Sequence, residues 1–520
     1  YHYMQVAIIE REDYASMFNP NAGMFGLTSH AGFYPIVWHQ VASLGAWSWR
    51  ETLIANNVLL LAVALVWYLG LVYLARTALP KVRHAPYLAL AASLLAPVFP
   101  WRLTYGAALW PYCMAVATCP AVIAMSIECW RRARTLMVVA AREQNTSVWG
   151  ARARAAMALS AIIPFFVGSC LIHTSAAAML LWPLFGILLC QAVHSGIRSW
   201  RCERRAQAAA WWIGALLAVV AFVAFVVLPG PQQHHFGRYT ELDWSNLTTK
   251  LLIPITLDYF GGWAIEWIEM PLATLCLLGA VICLWRRCNW ELVVAWIFSM
   301  SLILAAIAPI PVLSAFTGLF YRVPHRIKAM TAVLAVLLVV VALDALRTWL
   351  SPLGARAGSA LREALGRIGL ASVSTAVLRA GAAVAALAVC LPIMLIGSRA
   401  VATDVREGYL PVHGDTRFIA DTAELDMIRR LPDELPDNAV VIGDPVAGTG
   451  YIPILTGMRS VWVFPGQAAD DQDGIYLREN FNRIHTDPHV CELLQRHGIH
   501  YFYADKDIVF NGNRLSKFRP

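Results

Sequence analysis

The chain has 520 residues, of which 58% are hydrophobic and only 14% charged. A soluble globular domain carries about a quarter of its residues charged, so an ordinary soluble enzyme is excluded, and so is a disordered chain, which needs low hydrophobicity. From Arg399 onward there are 13 basic and 18 acidic residues, and before it 28 and 15. The formal charge of +8 therefore comes from a basic membrane part joined to an acidic soluble part, not from a nucleic-acid footprint.

The first segment, residues 1–53, is the richest in chemistry. Glu10 and Asp13 stand three apart, on one face of a short helix if the segment is helical. Two carboxylates so placed can act as general base or metal ligand. The run Glu10-Arg11-Glu12-Asp13 equally reads as a solvated charged turn. A turn-rich stretch, Asn19 to Gly26, precedes the aromatic segment Gly32-Phe-Tyr-Pro-Ile-Val-Trp-His-Gln40. Ending in Trp38-His39 just ahead of an apolar span, that segment suits the aromatic belt of a membrane interface.

About ten apolar spans follow, near Ile54–Ala78, Pro86–Pro100, Ala108–Trp130, Ala155–Ile172, Ser175–His194, Ala208–Leu228, Trp267–Leu284, Glu291–Val312, Ala329–Leu346 and Gly381–Ile396. Pro86–Pro100 is short and bounded by proline, so a tilted, broken or re-entrant segment is expected there. Connections alternate in basic content. One set holds clusters such as Arg131, Arg132 and Arg134, or Arg198, Arg201, Arg204 and Arg205. The other set holds only Arg102, Arg238, Lys250, Arg322, Arg326 and Lys328. The positive-inside rule places the first set in the cytoplasm. Residues 1–53 and everything after Arg399 then lie outside. An external first segment with no signal peptide ahead of Tyr1 predicts at least one upstream helix, so the chain reads as a piece of a longer protein. Pro520 likewise reads as mid-domain.

Ten of the eleven cysteines fall in or beside spans or on basic connections, and only Cys491 belongs to the outer module. No internal disulfide framework or zinc-type spacing is expected. On the external side, His173 sits at a tight turn between two spans, where a helix-capping or packing role competes with a functional one. In Thr317-Gly-Leu-Phe-Tyr-Arg-Val-Pro-His-Arg-Ile-Lys328, Arg322 and Arg326 flank His325 in an otherwise base-poor connection. Their guanidinium groups are suited to a lipid phosphate, either as a specific grip or as simple headgroup attraction. Asp258–Glu269 reads as an interfacial hairpin.

After the last span, a helix at Asp426-Met-Ile-Arg-Arg-Leu431 and strands at 438–443, 460–464 and 499–503 alternate with a second helix begun by Thr486-Asp-Pro488 and ended by Gly498. This is a small α/β module. Its Gly443-Asp-Pro-Val-Ala-Gly-Thr-Gly450 turn lacks the spacing of a nucleotide-binding loop.

Tyr1-His2, Tyr34-Pro35 with Trp38-His39, His173, Phe320-Tyr321-Arg322 with Arg326, and Gly443-Asp-Pro-Val-Ala-Gly448 together resemble an uncharacterised actinobacterial family of GT-C-like membrane proteins. GT-C proteins are glycosyltransferases that take a sugar from a polyprenyl-phosphate donor on the external face. The resemblance implies Glu10 or Asp13 as the catalytic acid–base group. Arg322, Arg326 and His325 would hold the donor phosphate, and His2, Tyr34, His39, His173 and Tyr321 would line the pocket. A divalent cation is compatible with it. The family's Asp shortly before the Tyr-His pair would fall ahead of residue 1, and the turn reads His173-Thr174 where His-Pro is more usual.

The expected protein is thus an α-helical polytopic, GT-C-like membrane protein with a small external C-terminal α/β domain. Its expected divisions are residues 1–53, 54–398 and 399–520. Its partners would be the lipid bilayer, a polyprenyl-phosphate sugar and a glycan or glycolipid acceptor, with no nucleic acid. Two other functions fit the same composition: a transporter or flippase of a lipid-linked or hydrophobic solute, and a non-catalytic envelope assembly protein. A transporter would need midplane charges and a repeat between halves, whereas Glu128 and Asp344 lie near cytoplasmic span ends.

Overall fold

The protein is described from a computed structural model. It covers residues 2–18, 24, 26–27, 34–94, 103–104, 109–142, 148–227, 266–307, 313–320, 323–367, scattered positions between 384 and 406, 420, 422–444, 448–464 and 471–504. The elements in chain order are α1 (His2–Glu12), α2 (Val37–Ser43), α3 (Thr52–Ala78), α4 (Ala85–Leu94), α5 (Trp110–Arg142), α6 (Val148–Ser160), α7 (Ile162–Ile172), α8 (Ser175–Arg201), α9 (Arg205–Val227), α10 (Glu266–Trp285), α11 (Trp290–Ile307), α12 (Leu313–Phe316) and α13 (Pro324–Arg367). The module that follows holds α14 (Thr422–Glu434), β1 (Val440–Gly443), α15 (Ile452–Thr456), β2 (Arg459–Ser460), α16 (Gln472–Asn480), α17 (Pro488–Arg496) and β3 (Tyr501–Tyr503). The chain divides into two compact units, Tyr1–Val63 with Val405–Pro520, and Ala64–Asp404.

The second unit is a helical membrane bundle. Among the described residues, seven helices are long and apolar enough to cross a bilayer: Trp49–Ala78, Trp110–Val139, Trp149–Ile172, Ser175–Arg201, Arg205–Ala224, Trp290–Ile307 and Arg326–Ala360. Two shorter apolar helices are Ala85–Leu94 and Pro271–Trp285. These nine segments correspond to nine of the ten expected spans; Gly381–Ile396 lies largely outside the described residues, as does most of the hairpin expected at Asp258–Glu269. Helices win here because lipid offers no partner for a backbone N–H or C=O, so each segment must bond within itself.

Hydropathy marks where a span enters lipid, and the helices run further. α13 continues to Arg367 and α5 to Arg142, so Arg347, Arg356, Arg362, Arg131, Arg132 and Arg134 are helical rather than in loops. Alanine, leucine and arginine are all good helix formers, and α13 runs on through Pro352. α13 is the buried centre of the unit, with an almost unbroken buried run from Ile327 to Ala342, and it packs against α4, α10 and α11. A Cβ at Gly279 of α10 would overlap the Leu338 carbonyl of α13, so glycine is what permits that close approach. At the other end of the α3–α5 pair, Tyr73 donates to Glu128 at 2.7 Å and Arg131 donates to the Thr77 carbonyl at 2.7 Å.

The first unit joins the start of the chain to the C-terminal module. The expected boundary between residues 1–53 and 399–520 does not separate two bodies. Met4, Ile8 and Met24 form one buried cluster with Ile454 and Val463. The Met24 carbonyl accepts from the backbone N–H groups of Val463 and Phe464. Within the module the three strands are parallel in the order β2-β1-β3. Alternate strand residues face opposite ways: Val441 and Tyr503 meet Ile428 and Ile452 on one face, while Ile442 meets Trp462, Leu477, Val490 and Leu493 on the other. Helices therefore cover both faces, as a parallel sheet requires. Asp487 caps α17 by accepting from His489 N–H at 3.0 Å, and Gly498 follows its end at φ 64°.

Asp471 ties the two chain ends together. Fully buried, it accepts from the backbone N–H groups of Leu27 at 2.8 Å and Gly474 at 3.1 Å. Asp471→Ala removes a helix cap and leaves two buried donors, a loss of roughly 2 kcal/mol. Hydrogen exchange should accelerate at Leu27 and Gly474 together; protection unchanged at Leu27 would break the assigned link.

Candidate functional site

In the first unit, α1 buries the whole run Met4–Ile9. A helix buried on every side is a core element, and the ionisable groups of α1 collect at its ends while Gln5 is buried within it. Glu10 is at the exit, half-buried. Asp13 does not share a helix face with it as expected. It lies beyond the end of α1, exposed, with φ 49°. A left-handed residue reverses the chain there, and aspartate tolerates that conformation better than most side chains. The two carboxylates still feel each other. Burial first, then the charges of Asp13 and Glu51, raise the Glu10 carboxyl above its usual 4.5. Glu51, from the 3₁₀ turn Trp49–Glu51, thus joins the pair.

At the opposite end of α1, His2 Nδ1 and His39 Nε2 are 2.9 Å apart, with ring centroids 5.2 Å apart and nearly parallel. Tyr34 is tilted against His39 at 6.3 Å. One ring of such a pair donates and the other accepts, so the pair cannot carry two protons and keep this bond. Burial, then the neighbouring His2, pushes His39 well below the usual 6.5. Trp38 is not an interfacial belt residue. It is fully buried, and its Nε1 donates to Asn56 of α3 at 2.9 Å, while Asn56 donates to the Thr52 carbonyl at 2.8 Å.

In the second unit, α5, the α7–α8 turn and the start of α13 bring three groups together. His173 caps α7 in an extended conformation and accepts at Nδ1 from Ser175 N–H at 3.2 Å. The proton of the neutral ring is then on Nε2. The Tyr112 ring meets His173 edge-on at 5.2 Å, and the Arg326 guanidinium lies 5.6 Å from the centre of the same ring. The Tyr112 hydroxyl donates to the Arg326 carbonyl, and Ser175 Oγ donates to the Leu319 carbonyl. Burial, followed by the Arg326 charge, lowers His173 to about 3. A cation held on an aromatic face beside a neutral imidazole forms a group suited to an anion.

Of the expected site residues, His2, Tyr34 and His39 therefore come together, as do His173 and Arg326. Tyr321 and Arg322 lie outside the described residues, and His325 is described only as a first-turn position of α13. Among the described residues no group of three or more His, Cys, Asp or Glu is placed to hold a metal ion. Tyr112, Ser175 and Asn56 were not anticipated. The one usable signal was Trp110-Pro-Tyr112 opening a span, since a buried tyrosine hydroxyl needs a partner.

The model of the family of unknown function DUF6541 matches residues 1–518, and the chain belongs to that family. No curated protein and no solved structure matches it.

The histidine environments carry a sign. His173 titrates lower in the fold, at about 3, than the usual 6.5. The unfolded chain therefore binds the proton more readily below 6.5, and stability is lost as pH falls from there toward 3. Lowering pH from about 7.5 to about 5 should lower the unfolding midpoint of the purified protein, and less so for His173→Gln. Equal losses in both proteins would show that His173 does not carry the effect.

Proposed function

We propose that this DUF6541 protein is a membrane glycosyltransferase that moves a sugar from a polyprenyl-phosphate donor to an envelope acceptor. The observation that carries the reading is the cluster of Arg326, Tyr112 and neutral His173. Arginine offers two parallel N–H donors to phosphate oxygens, and a neutral His173 beside it adds no second charge. By the positive-inside rule this connection, the first segment and the C-terminal module lie on the external side of the cell membrane.

In this mechanism Glu10 is the base. Its proton affinity is raised by burial and by Asp13 and Glu51, which moves a carboxylate toward the range useful for accepting a proton near neutral pH. A carboxylate takes the acceptor hydroxyl proton as that oxygen bonds to the anomeric carbon, and Glu10 is the candidate that the family resemblance supplies for this role. The bond from this carbon to the phosphate oxygen breaks, and the polyprenyl phosphate departs with the electron pair. Arg326, with Arg322 and His325 of the same segment, stabilises the charge on the departing phosphate. Asp13 takes part through its field on Glu10. A divalent cation remains compatible with the carboxylates, though no three-ligand group among the described residues supports one.

The test is mass spectrometry of lipid-linked sugars and envelope glycans from cells lacking the gene. One polyprenyl-phosphate sugar should accumulate, and that sugar should be missing from one glycan. Glu10→Gln should lower restored transfer by roughly 100-fold or more, the usual scale for losing a general base. Unchanged pools and glycans in cells that normally express the gene would sink the transferase and leave a transporter or an assembly protein.

A further inference from the structure

Outside both clusters, the connection between α2 and α3 displays large apolar side chains that the first unit does not cover. Trp47 is 92% and Leu44 85% exposed, with Val41 beside them at 37%. A frayed segment could expose such residues by accident, but this turn is tied down. Gly45 N–H donates to the Ala42 carbonyl at 3.1 Å, Ala46 N–H to Ser43 at 2.9 Å, and Trp47 N–H to the Glu51 carboxylate at 2.6 Å. The intervening Ala46 is buried. The turn is held in shape while its largest side chains point away from protein.

Its position relative to α3 is also fixed. A methyl at Gly45 would lie 3.8 Å from Ala55 Cβ, and Trp38 reaches Asn56. The turn therefore runs beside the first turns of α3. At that level α3 exposes Ile54, Val58 and Leu61, at 66%, 59% and 63%, in a helix that is a candidate span. Its 27 residues measure about 40 Å, against about 30 Å of hydrocarbon and 40–45 Å with headgroups. With Arg76 in the last turn at one headgroup layer, Trp49 and Arg50 fall at the other. Arg50 lies over the Trp49 ring at 5.3 Å, a pairing at home where one end is apolar and the other wet.

We propose that the turn Leu44–Trp47 is a bilayer anchor, seating Leu44 and Trp47 among the lipids beside the first turns of α3. The occupant of this surface is bulk membrane lipid, because the patch is continuous with the lipid-facing flank of a span and ends in a tryptophan at headgroup level. Its consequence is positional. α2 carries His39 and the adjoining 3₁₀ turn carries Glu51, so the anchor fixes the depth at which both are held. The inference needs only the membrane assignment and stands whether or not the chain transfers sugars.

The test uses the full chain reconstituted in phosphatidylethanolamine–phosphatidylglycerol vesicles doped with a phospholipid bearing a diazirine near its acyl carbonyl. After irradiation and proteolysis, peptide mass spectrometry should find lipid adducts on Val41–Trp47 as well as on Ile54–Leu61. The double substitution L44S/W47S should lose the first set and keep the second, which reports that α3 is still inserted. Adducts on Ile54–Leu61 alone in the unaltered chain would overturn the anchor. So would chain-to-chain cross-links when position 47 carries a diazirine amino acid instead, which would assign the patch to a second copy. Absence of adducts from both segments would overturn the lipid-facing assignment of α3 along with it.

Discussion

The first unit depends on one packing event, the burial of residues 2–27 against the C-terminal module. Met4, Ile8 and Met24 share a core with Ile454 and Val463, and fully burying an aliphatic side chain of this size contributes roughly 1.5–3 kcal/mol. Several together outweigh any single cap or carboxylate bond nearby, so the apolar contact holds α1 in place and Asp471 and Met24 set its register. Glu10 and His2 are at the two ends of that buried helix, and His39 bonds to His2. The positions of all three are set by side chains more than four hundred residues away.

Both histidine environments follow from burial more than from neighbouring charge. For His39 and His173 alike, loss of solvent is the leading cause of the lowered proton affinity, with His2 and Arg326 adding to it. A neutral imidazole can donate through one nitrogen while the other is occupied. His173 uses Nδ1 to accept from Ser175, which puts its proton on Nε2. Arg326, in contrast, retains a charge beside an aromatic face. A neutral donor and a cation side by side differ in what they ask of solvent, and the site keeps both without burying an opposed pair of charges.

The membrane part was largely legible because lipid reduces folding to a question of hydropathy and length. The ends of its helices were less so, since α5 and α13 run on through arginines that read as loop by composition alone. The C-terminal module was legible through alternating strands, Asp487 and Gly498, which are local signals. What could not be read was anything that depends on distant packing. Trp38 looked interfacial because nothing nearby in sequence reveals Asn56 as its partner, whereas Trp47 carries no pattern that marks it as the exposed ring. Glu10 and Asp13 were three apart on paper, but the left-handed backbone at Asp13 takes it off the helix. Tyr112 stayed invisible because its role comes from two other segments meeting at its ring.

The bond from Leu27 N–H to Asp471 spans 444 positions of sequence, with the membrane helices threaded between its ends. Such a contact cannot form until nearly the whole chain has been made. At roughly 5–20 residues per second, α1 waits on the order of 20–90 seconds for its partner. During that interval α1 can pack on α2, which follows it closely in sequence, but Met4 and Ile8 lack their partners Ile454 and Val463. The order of synthesis thus makes the Met4–Ile8 side of α1 the last part of that helix to find its packing partners.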